Sequence, residues 1–208
     1  MALVETVVLR DPHDIERQLA EMKLGPAKRL MGIAEAAAAA GAEATPFHPA
    51  NAEGTLAYQH GTFHLRAECV GKDGWEADRL NGVEVIGNSG LMLAVAYTNV
   101  DRCCVDGHQP KPRSAKGSGA ERASNGDLFA GTLPHYVQQP IPGLKLFYLM
   151  VGEDGSVELS RPIISEKTFK GCSVRIYLGN INSPTDVDKG KYDTGDAADD
   201  FDPQVVRK

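Results

Sequence analysis

The residue types best suited to chemistry are concentrated between Asp101 and Arg122. This stretch carries five basic residues (Arg102, Lys111, Arg113, Lys116 and Arg122) and three acidic ones (Asp101, Asp106 and Glu121), so its net charge is +2 in a chain of net charge −6. A local excess of positive charge attracts phosphate groups. The stretch therefore predicts an anion site for a nucleic acid or a nucleotide. Two other interpretations stay open, namely contact with a protein partner and a solvated insertion without a ligand.

The spacing within this loop adds a reason to expect an anion. Ser118 and Glu121 have the spacing of a capping box, which predicts that a short helix begins there. Lys116, Gly117 and Gly119 stand just before that start or in its first turn. Free backbone N–H groups and the helix dipole favour negative charge at such a position. The GxxxxGK[ST] pattern of P-loop nucleotidases is absent, so that class is not supported.

Cys103, Cys104 and His108 form a second group, next to Asp101 and Arg102. Side chains of adjacent residues usually diverge, so we expect at most one of these cysteines to join His108 on a metal ion. A nucleophilic thiolate would need a nearby cation, which Arg102 or His108 could supply. The remaining interpretation is that both thiols are structural.

His60 and His64 are four residues apart in a segment with helical periodicity, so both imidazoles would project from one face and could share a metal ion. Zinc proteases place a glutamate directly after the first histidine of this pattern. Gly61 stands at that position, so the catalytic part of the pattern is missing. Two histidines without a metal are the other interpretation, and no motif in the chain indicates a cofactor.

The acids and the lysine on predicted strands suggest a further class of site. Glu84, Glu158 and Lys145 are the residues from which a metal-dependent nuclease would be built, although their spacing matches no known motif. A hydrolytic enzyme of this kind would require His60, His64, His108, Asp101 or Glu158 to converge on one pocket. Three functions are therefore carried forward: a binding protein that uses loop 101–122, a nuclease-like hydrolase, and a structural subunit of a larger assembly. The sequence does not decide whether the chain is an enzyme.

The periodicity of the chain predicts the elements that must position these groups. Residues 3–9 suit a strand, Asp11-Pro12 begins a helix, and two further helices cover 26–40, ended by Gly41, and 56–70. Residues 82–97 alternate as a hairpin, and three more strands cover 144–151, 157–164 and 172–178. The prediction is an α+β fold with a mainly antiparallel sheet of about five strands and two or three helices on one face.

Composition limits the class of protein. With 42% hydrophobic and 24% charged residues, the chain is typical of a globular protein. We expect one domain over residues 1–178 and an acidic, flexible tail over 179–208, which contains seven aspartates. The charge of −6 argues against a whole surface that clamps nucleic acid.

The predicted environment of the chain is the bacterial cytoplasm. Four cysteines without a CxxC pair indicate reduced thiols, and no apolar run reaches the length of about 18 residues that a membrane span requires. The abundance of alanine and glycine is typical of GC-rich bacterial genes.

Overall fold

The fold is built on one seven-stranded mixed sheet with helices on both faces. The structure, a computed structural model, describes residues 6–124 and 141–183. The strands are β1 (Val7–Leu9), β2 (Glu76–Leu80), β3 (Val83–Asn88), β4 (Leu93–Val100), β5 (Lys145–Gly152), β6 (Ser156–Ser165) and β7 (Thr168–Asn180). The helices are α1 (Pro12–Glu21), α2 (Ala27–Ala42), α3 (Ala52–Cys69) and α4 (Ser118–Ser124). The order of strands in the sheet is β1-β7-β6-β5-β4-β3-β2.

The larger core lies between the sheet and helices α1 to α3. Alternate residues of β4, such as Val95 and Tyr97, point into this core, where they meet apolar residues of the helices and the only tryptophan, Trp75. The indole of Trp75 is buried and donates a hydrogen bond to the carbonyl of Lys23 (2.9 Å). The alternation of residues in the sequence of β4 therefore corresponds to the side of the strand that is buried in this core.

A smaller core covers the opposite face of the sheet. Ala96 and Val100 of β4 point to this side and pack with Cys103 and with two alanines of α4. The polypeptide between β4 and α4, which includes the predicted anion loop, thus crosses the face that α1 to α3 leave free. The prediction that all helices lie on one face is wrong, because α4 contributes Ala120 and Ala123 to this second core.

Local signals in the sequence place α1 correctly. The side chain of Asp11 accepts hydrogen bonds from the backbone N–H groups of His13 (2.9 Å) and Asp14 (3.3 Å). Pro12 occupies the first helical position, where its missing N–H costs nothing. The prediction of a helix start at Asp11-Pro12 is confirmed.

Two glycines do not play the parts that their sequence context suggests. Gly41 was expected to end α2, but the helix continues to Ala42, and Gly41 is buried against α3. A Cβ atom there would lie 3.3 Å from the Cβ of Ala57. Gly61 lies inside α3, where a Cβ would approach the ring of Tyr97 to 2.4 Å. Both glycines let elements pack closely, which compensates for their poor helix propensity.

The sheet differs from the predicted one in size and direction. It has seven strands instead of about five, and two of its pairs, β1–β7 and β4–β5, are parallel. The described residues contain four helices instead of two or three. The α+β class is confirmed, while the mainly antiparallel five-stranded sheet is replaced by a mixed one.

The structure describes only part of each end of the chain. Strand β7 continues to Asn180, and the N–H of Ile181 donates to the carbonyl of Gly155 (2.9 Å), so the sheet extends past the predicted domain limit at residue 178. Most of the predicted acidic tail, residues 184–208, lies outside the described residues, as do the beginning of the predicted strand 3–9 and residues 125–140. No helix within the described ranges has the length and apolar character to cross a membrane.

Candidate functional site

Four strands end at the same edge of the sheet. β1 is parallel to β7, β4 is parallel to β5, and β6 is antiparallel to both β5 and β7, so β1, β4, β5 and β7 run in one direction, which the edge strand β2 at the far side of the sheet shares. We call the edge where these four strands finish the carboxyl edge. In open, mostly parallel α/β sheets, ligands bind outside the carboxyl ends of the strands, and the two parallel pairs of this mixed sheet have their carboxyl ends at this edge.

A cleft with a volume of about 590 Å³ lies at the carboxyl edge. Its walls are formed by the start of α1, the end of β7, the turn after β5, and residues Cys103, Cys104 and Val105 of the loop. Two smaller cavities, of about 220 and 320 Å³, follow the same edge and share Arg113 and Asn99. The predicted anion loop therefore borders each of the three cavities along this edge.

A buried ion pair lies directly behind the cleft. The carboxylate of Glu158 is bound by Arg175 through Nε (2.9 Å) and Nη2 (2.7 Å), and the two side chains are 0% and 4% exposed. The hydroxyl of Ser160 and the backbone N–H of Cys104 donate to the same carboxylate, at 2.5 and 2.7 Å. Every charge and hydrogen-bonding site of this carboxylate is thus satisfied, as burial requires.

The ion pair also fixes the loop to the sheet. A further nitrogen of Arg175, Nη1, donates to the carbonyls of Val105 (3.1 Å) and His108 (3.0 Å). Together with the bond from the Cys104 N–H to Glu158, these contacts tie loop residues 104–108 to β6 and β7. The wall of the cleft is consequently held by buried charge-assisted hydrogen bonds, which are stronger than neutral ones.

The two adjacent cysteines converge at the base of the cleft. Cys104 has a left-handed backbone (φ 56°), which is uncommon outside glycine. Its sulfur, that of Cys103 and a carboxylate oxygen of Glu158 all lie within 4.8 Å of one another. The expectation that adjacent cysteine side chains diverge is wrong here, because the left-handed residue breaks the alternation of an extended chain.

The environments of the two thiols differ. A hydrogen bond from Cys103 lowers the pKa of the Cys104 thiol, although burial and Glu158 act in the opposite direction. The same hydrogen bond and its own burial raise the pKa of Cys103. Cys104 is the partly exposed member of the pair and is the one that would ionise first. Neither Arg102 nor His108, the cations expected to stabilise a thiolate, is the cause of this shift.

His108 instead forms a pair with Asp101. The imidazole Nε2 lies 3.2 Å from the Asp101 carboxylate. Partial burial alone would raise the pKa of Asp101, but backbone N–H groups of Lys111 and Arg102 and the imidazole lower it overall. This contact joins two residues of the loop and so stabilises its conformation. The imidazole of His108 is not among the described hydrogen-bond partners of Cys104.

The predicted anion-binding residues separate into two groups. Arg102 and Lys111 are exposed. Arg113 is engaged by Glu153 (3.1 Å) and by Glu53 (3.7 Å), while Arg122 is half-buried in α4. The basic residues of the loop therefore do not form one continuous stripe.

Lys116 turns inward instead of facing solvent. Its ammonium donates to the hydroxyl of Thr98 (2.7 Å) and lies above the rings of Tyr148 and Phe169, at 5.3 and 5.6 Å from their centres. Burial lowers the pKa of Lys116 to about 8. Contact with two aromatic faces stabilises a cation that lacks a carboxylate partner among the described residues. Lys116 thus anchors the loop to the second core.

The glycines and serine of the loop serve the start of α4. The helix begins at Ser118, as predicted, and the carbonyl of Gly117 accepts from Ala120 (3.0 Å) and Glu121 (3.3 Å). A Cβ atom on Gly119 would lie 1.8 Å from the carbonyl oxygen of Asn81. Gly119 is therefore required for close packing against the β2–β3 hairpin, and this explains it without an anion.

The predicted histidine pair lies away from the cleft. His60 and His64 do project from neighbouring positions of α3, with ring centres 6.4 Å apart. They belong to the helical face of the sheet, whereas Glu158 and Cys103 lie on the other side. The single group of three potential metal ligands found within residues 6–124 and 141–183 is Cys103, Cys104 and Glu158, so the described part of the chain offers this histidine pair no third ligand.

Three residues of the site escaped the sequence analysis: Arg10, Arg175 and Tyr177. Arg10 follows β1, forms an ion pair with Asp106, and lies over the ring of Tyr177 (5.5 Å to its centre). Arg175 approaches the same ring (5.0 Å). The sequence contains one signal for Arg175. This residue stands between the apolar Val174 and Ile176 of one strand, just as Glu158 stands between apolar residues of another. Two opposite charges on strands joined by a short turn indicate a buried pair.

Comparisons of the chain with protein-family models, with curated proteins and with solved structures found no match.

Proposed function

We propose that this chain is a binding protein that holds a nucleotide-like ligand in the cleft at the carboxyl edge, with loop 101–122 as one wall. The observation that carries the proposal is the position of the cleft, outside the ends of four strands that run in the same direction. Its volume of about 590 Å³ is within the range of about 300–1,000 Å³ that small-molecule sites have.

The wall chemistry supports a ligand with both an aromatic and an anionic part. Tyr177 lines the cleft with the guanidinium of Arg10 above its ring, and bases stack on arginine guanidinium planes as well as on aromatic rings. Arg10 has a side chain that is 55% exposed and is paired with the exposed carboxylate of Asp106, so a phosphate group that binds its guanidinium must share it with Asp106 or displace that carboxylate. The cleft is also lined by Glu16 and Asp154, which accept hydrogen bonds from the N–H groups of Ala27 and Ser156 and keep their negative charge, so an anionic group has to bind on the side of the cleft where Arg10 lies.

A short ligand suits the charge distribution better than a long nucleic acid. Of the five basic residues in loop 101–122, Arg113 is ion-paired and Lys116 is packed on aromatic rings. Arg102 and Lys111 are the two that are exposed without an acidic side-chain partner among the described contacts, and neither lines the cleft. Long nucleic acids need many phosphate contacts, whereas a nucleotide needs a few.

The geometry favours binding over hydrolysis. A nuclease-like reaction would bring His60, His64, His108 and the acids together. His60 and His64 lie on α3, and Glu158 is occupied by Arg175 on the opposite face. Asp101 and His108 remain as a pair, with no nucleophile joined to them in the described contacts.

The proposal is tested by calorimetric titration of the full chain with nucleoside mono-, di- and triphosphates, with tripolyphosphate as a ligand without a base. We expect saturable binding of at least one nucleotide, weakened by salt. Arg10→Ala should reduce the affinity about tenfold or more, because a charge-assisted hydrogen bond contributes roughly 1.5–3 kcal/mol.

Arg79→Ala is the matched control. Arg79 is also an exposed arginine paired with a carboxylate, that of Glu84 (2.9 Å), but it lies on β2, at the far side of the sheet. Its replacement should leave the affinity unchanged. Equal losses in the two variants, or no binding of any nucleotide, would overturn the proposal.

A further inference from the structure

The sulfur atoms of Cys103 and Cys104 are close enough to hold one metal ion. Together with a carboxylate oxygen of Glu158 they lie within 4.8 Å of one another. This limit is close to the separation of about 4.6 Å that two metal–sulfur bonds of about 2.3 Å span when one ion lies between two sulfur atoms. The left-handed backbone of Cys104 is what brings consecutive side chains to the same side.

The two thiols make only weak contacts that an ion could replace. Cys104 Sγ donates to the carbonyl of Val157 (3.0 Å), and Cys103 Sγ lies 3.3 Å from the hydroxyl oxygen of Ser156. Thiols are weak donors. Cys104 is partly exposed in the large cleft, so an ion reaches its sulfur first, and the buried Cys103 lies next to it.

The third potential ligand is not free. Both oxygens of Glu158 are used by Arg175, and Ser160 and the Cys104 N–H complete their hydrogen bonds. Two sulfur ligands therefore remain. Structural zinc sites need four ligands, whereas soft thiolate ligands select Cu(I), a monovalent ion that two sulfur atoms can satisfy.

We propose that Cys103 and Cys104 form a two-sulfur binding site for one Cu(I) ion at the base of the cleft. On binding, the two S–H bonds break, two S–Cu bonds form, and two protons pass to the solvent, with no change in oxidation state. The bound unit carries one net negative charge and lies beside Glu158, whose own charge is compensated by Arg175. This site does not depend on the nucleotide proposal.

The test is a competition titration of the full chain, without oxygen, between the protein and bicinchoninate for Cu(I). We expect one tightly bound ion per chain, detected by loss of the coloured bicinchoninate complex. Cys104→Ala and Cys103→Ala should each reduce the affinity at least tenfold, because a single sulfur cannot complete the site. Cys69→Ala removes a buried thiol from the other core and should bind Cu(I) like the parent chain.

If Cys103→Ala fails to fold, the proposal can still be tested on the parent chain by measuring which cysteines bound Cu(I) protects from alkylation. Bound Cu(I) should protect Cys104 from alkylation, measured by peptide mass spectrometry. Retention of tight Cu(I) binding by Cys104→Ala, or unchanged alkylation of Cys104 in the loaded protein, would overturn the proposal. Tight binding of one Zn(II) together with weak Cu(I) binding would also overturn it, because that result requires four ligands.

Discussion

The buried pair of Glu158 and Arg175 gives the sharpest prediction about stability. Arg175→Met removes the guanidinium but keeps most of the side-chain volume. The carboxylate of Glu158, which is 0% exposed, then has no cation to compensate it. Removing one partner of a buried pair costs about 3–5 kcal/mol, so we expect the free energy of unfolding to fall by that amount.

A double variant separates the charge from the packing. Glu158→Met/Arg175→Met leaves no uncompensated charge but deprives Ser160 and the Cys104 N–H of their acceptor. Each donor left unsatisfied in the interior costs about 1–3 kcal/mol. The double variant should therefore lose less stability than the two single variants added together, with a coupling of at least about 2 kcal/mol.

Urea unfolding followed by the fluorescence of the single tryptophan, Trp75, measures these differences, because Trp75 is buried in the core. Arg17→Met is the control: its pair with Asp14 is exposed, with side chains that are 62% and 42% accessible, and should contribute about 0–1 kcal/mol. If Arg175→Met costs no more than Arg17→Met, the loop is not held by this ion pair and the account of the cleft wall is wrong.

Two further predictions concern packing and pH. Gly61→Ala should lower the free energy of unfolding by about 1–3 kcal/mol, because its Cβ would collide with the ring of Tyr97. Gly32→Ala, at a helical position with open space, should instead raise it by up to about 1 kcal/mol; equal effects in urea unfolding would contradict this contrast. Folding lowers the pKa of Lys116 to about 8, so its charge opposes folding fully below that pH and progressively less between pH 8 and about 10.4. The stability of the parent chain relative to Lys116→Met should therefore rise between pH 7.5 and pH 10, and a difference that does not change with pH would refute the assignment.

Local features of the fold follow from the sequence because their causes are local. The cap at Asp11 depends on three neighbouring residues, and the β3–β4 hairpin depends on alternation around a short turn. Strand β2 was missed because it is an edge strand whose exposed residues are charged, as in Glu76, Asp78 and Arg79. Charged side chains protect an edge strand from pairing with another chain. They also interrupt the alternation of apolar and polar residues by which a strand is predicted from sequence.

The site was harder to predict because its contacts join distant parts of the chain. Glu158 looks like a solvent-facing acid until the pairing of β6 with β7, which sets Arg175 opposite Ser160, places Arg175 diagonally beside it. Lys116 looks like an anion ligand until Tyr148 and Phe169 are brought beneath it. The convergence of the cysteines depends on one left-handed residue, a conformation that residue type alone does not indicate.

The rate at which Cys104 is alkylated, with and without nucleotide, tests the central claim most directly. Cys104 lines the cleft and is partly exposed, while Cys69 and Cys172 are buried elsewhere. A nucleotide bound in the cleft should slow the alkylation of Cys104 in proportion to its occupancy. Saturating nucleotide that leaves this rate unchanged would show that the cleft at the carboxyl edge is not the binding site.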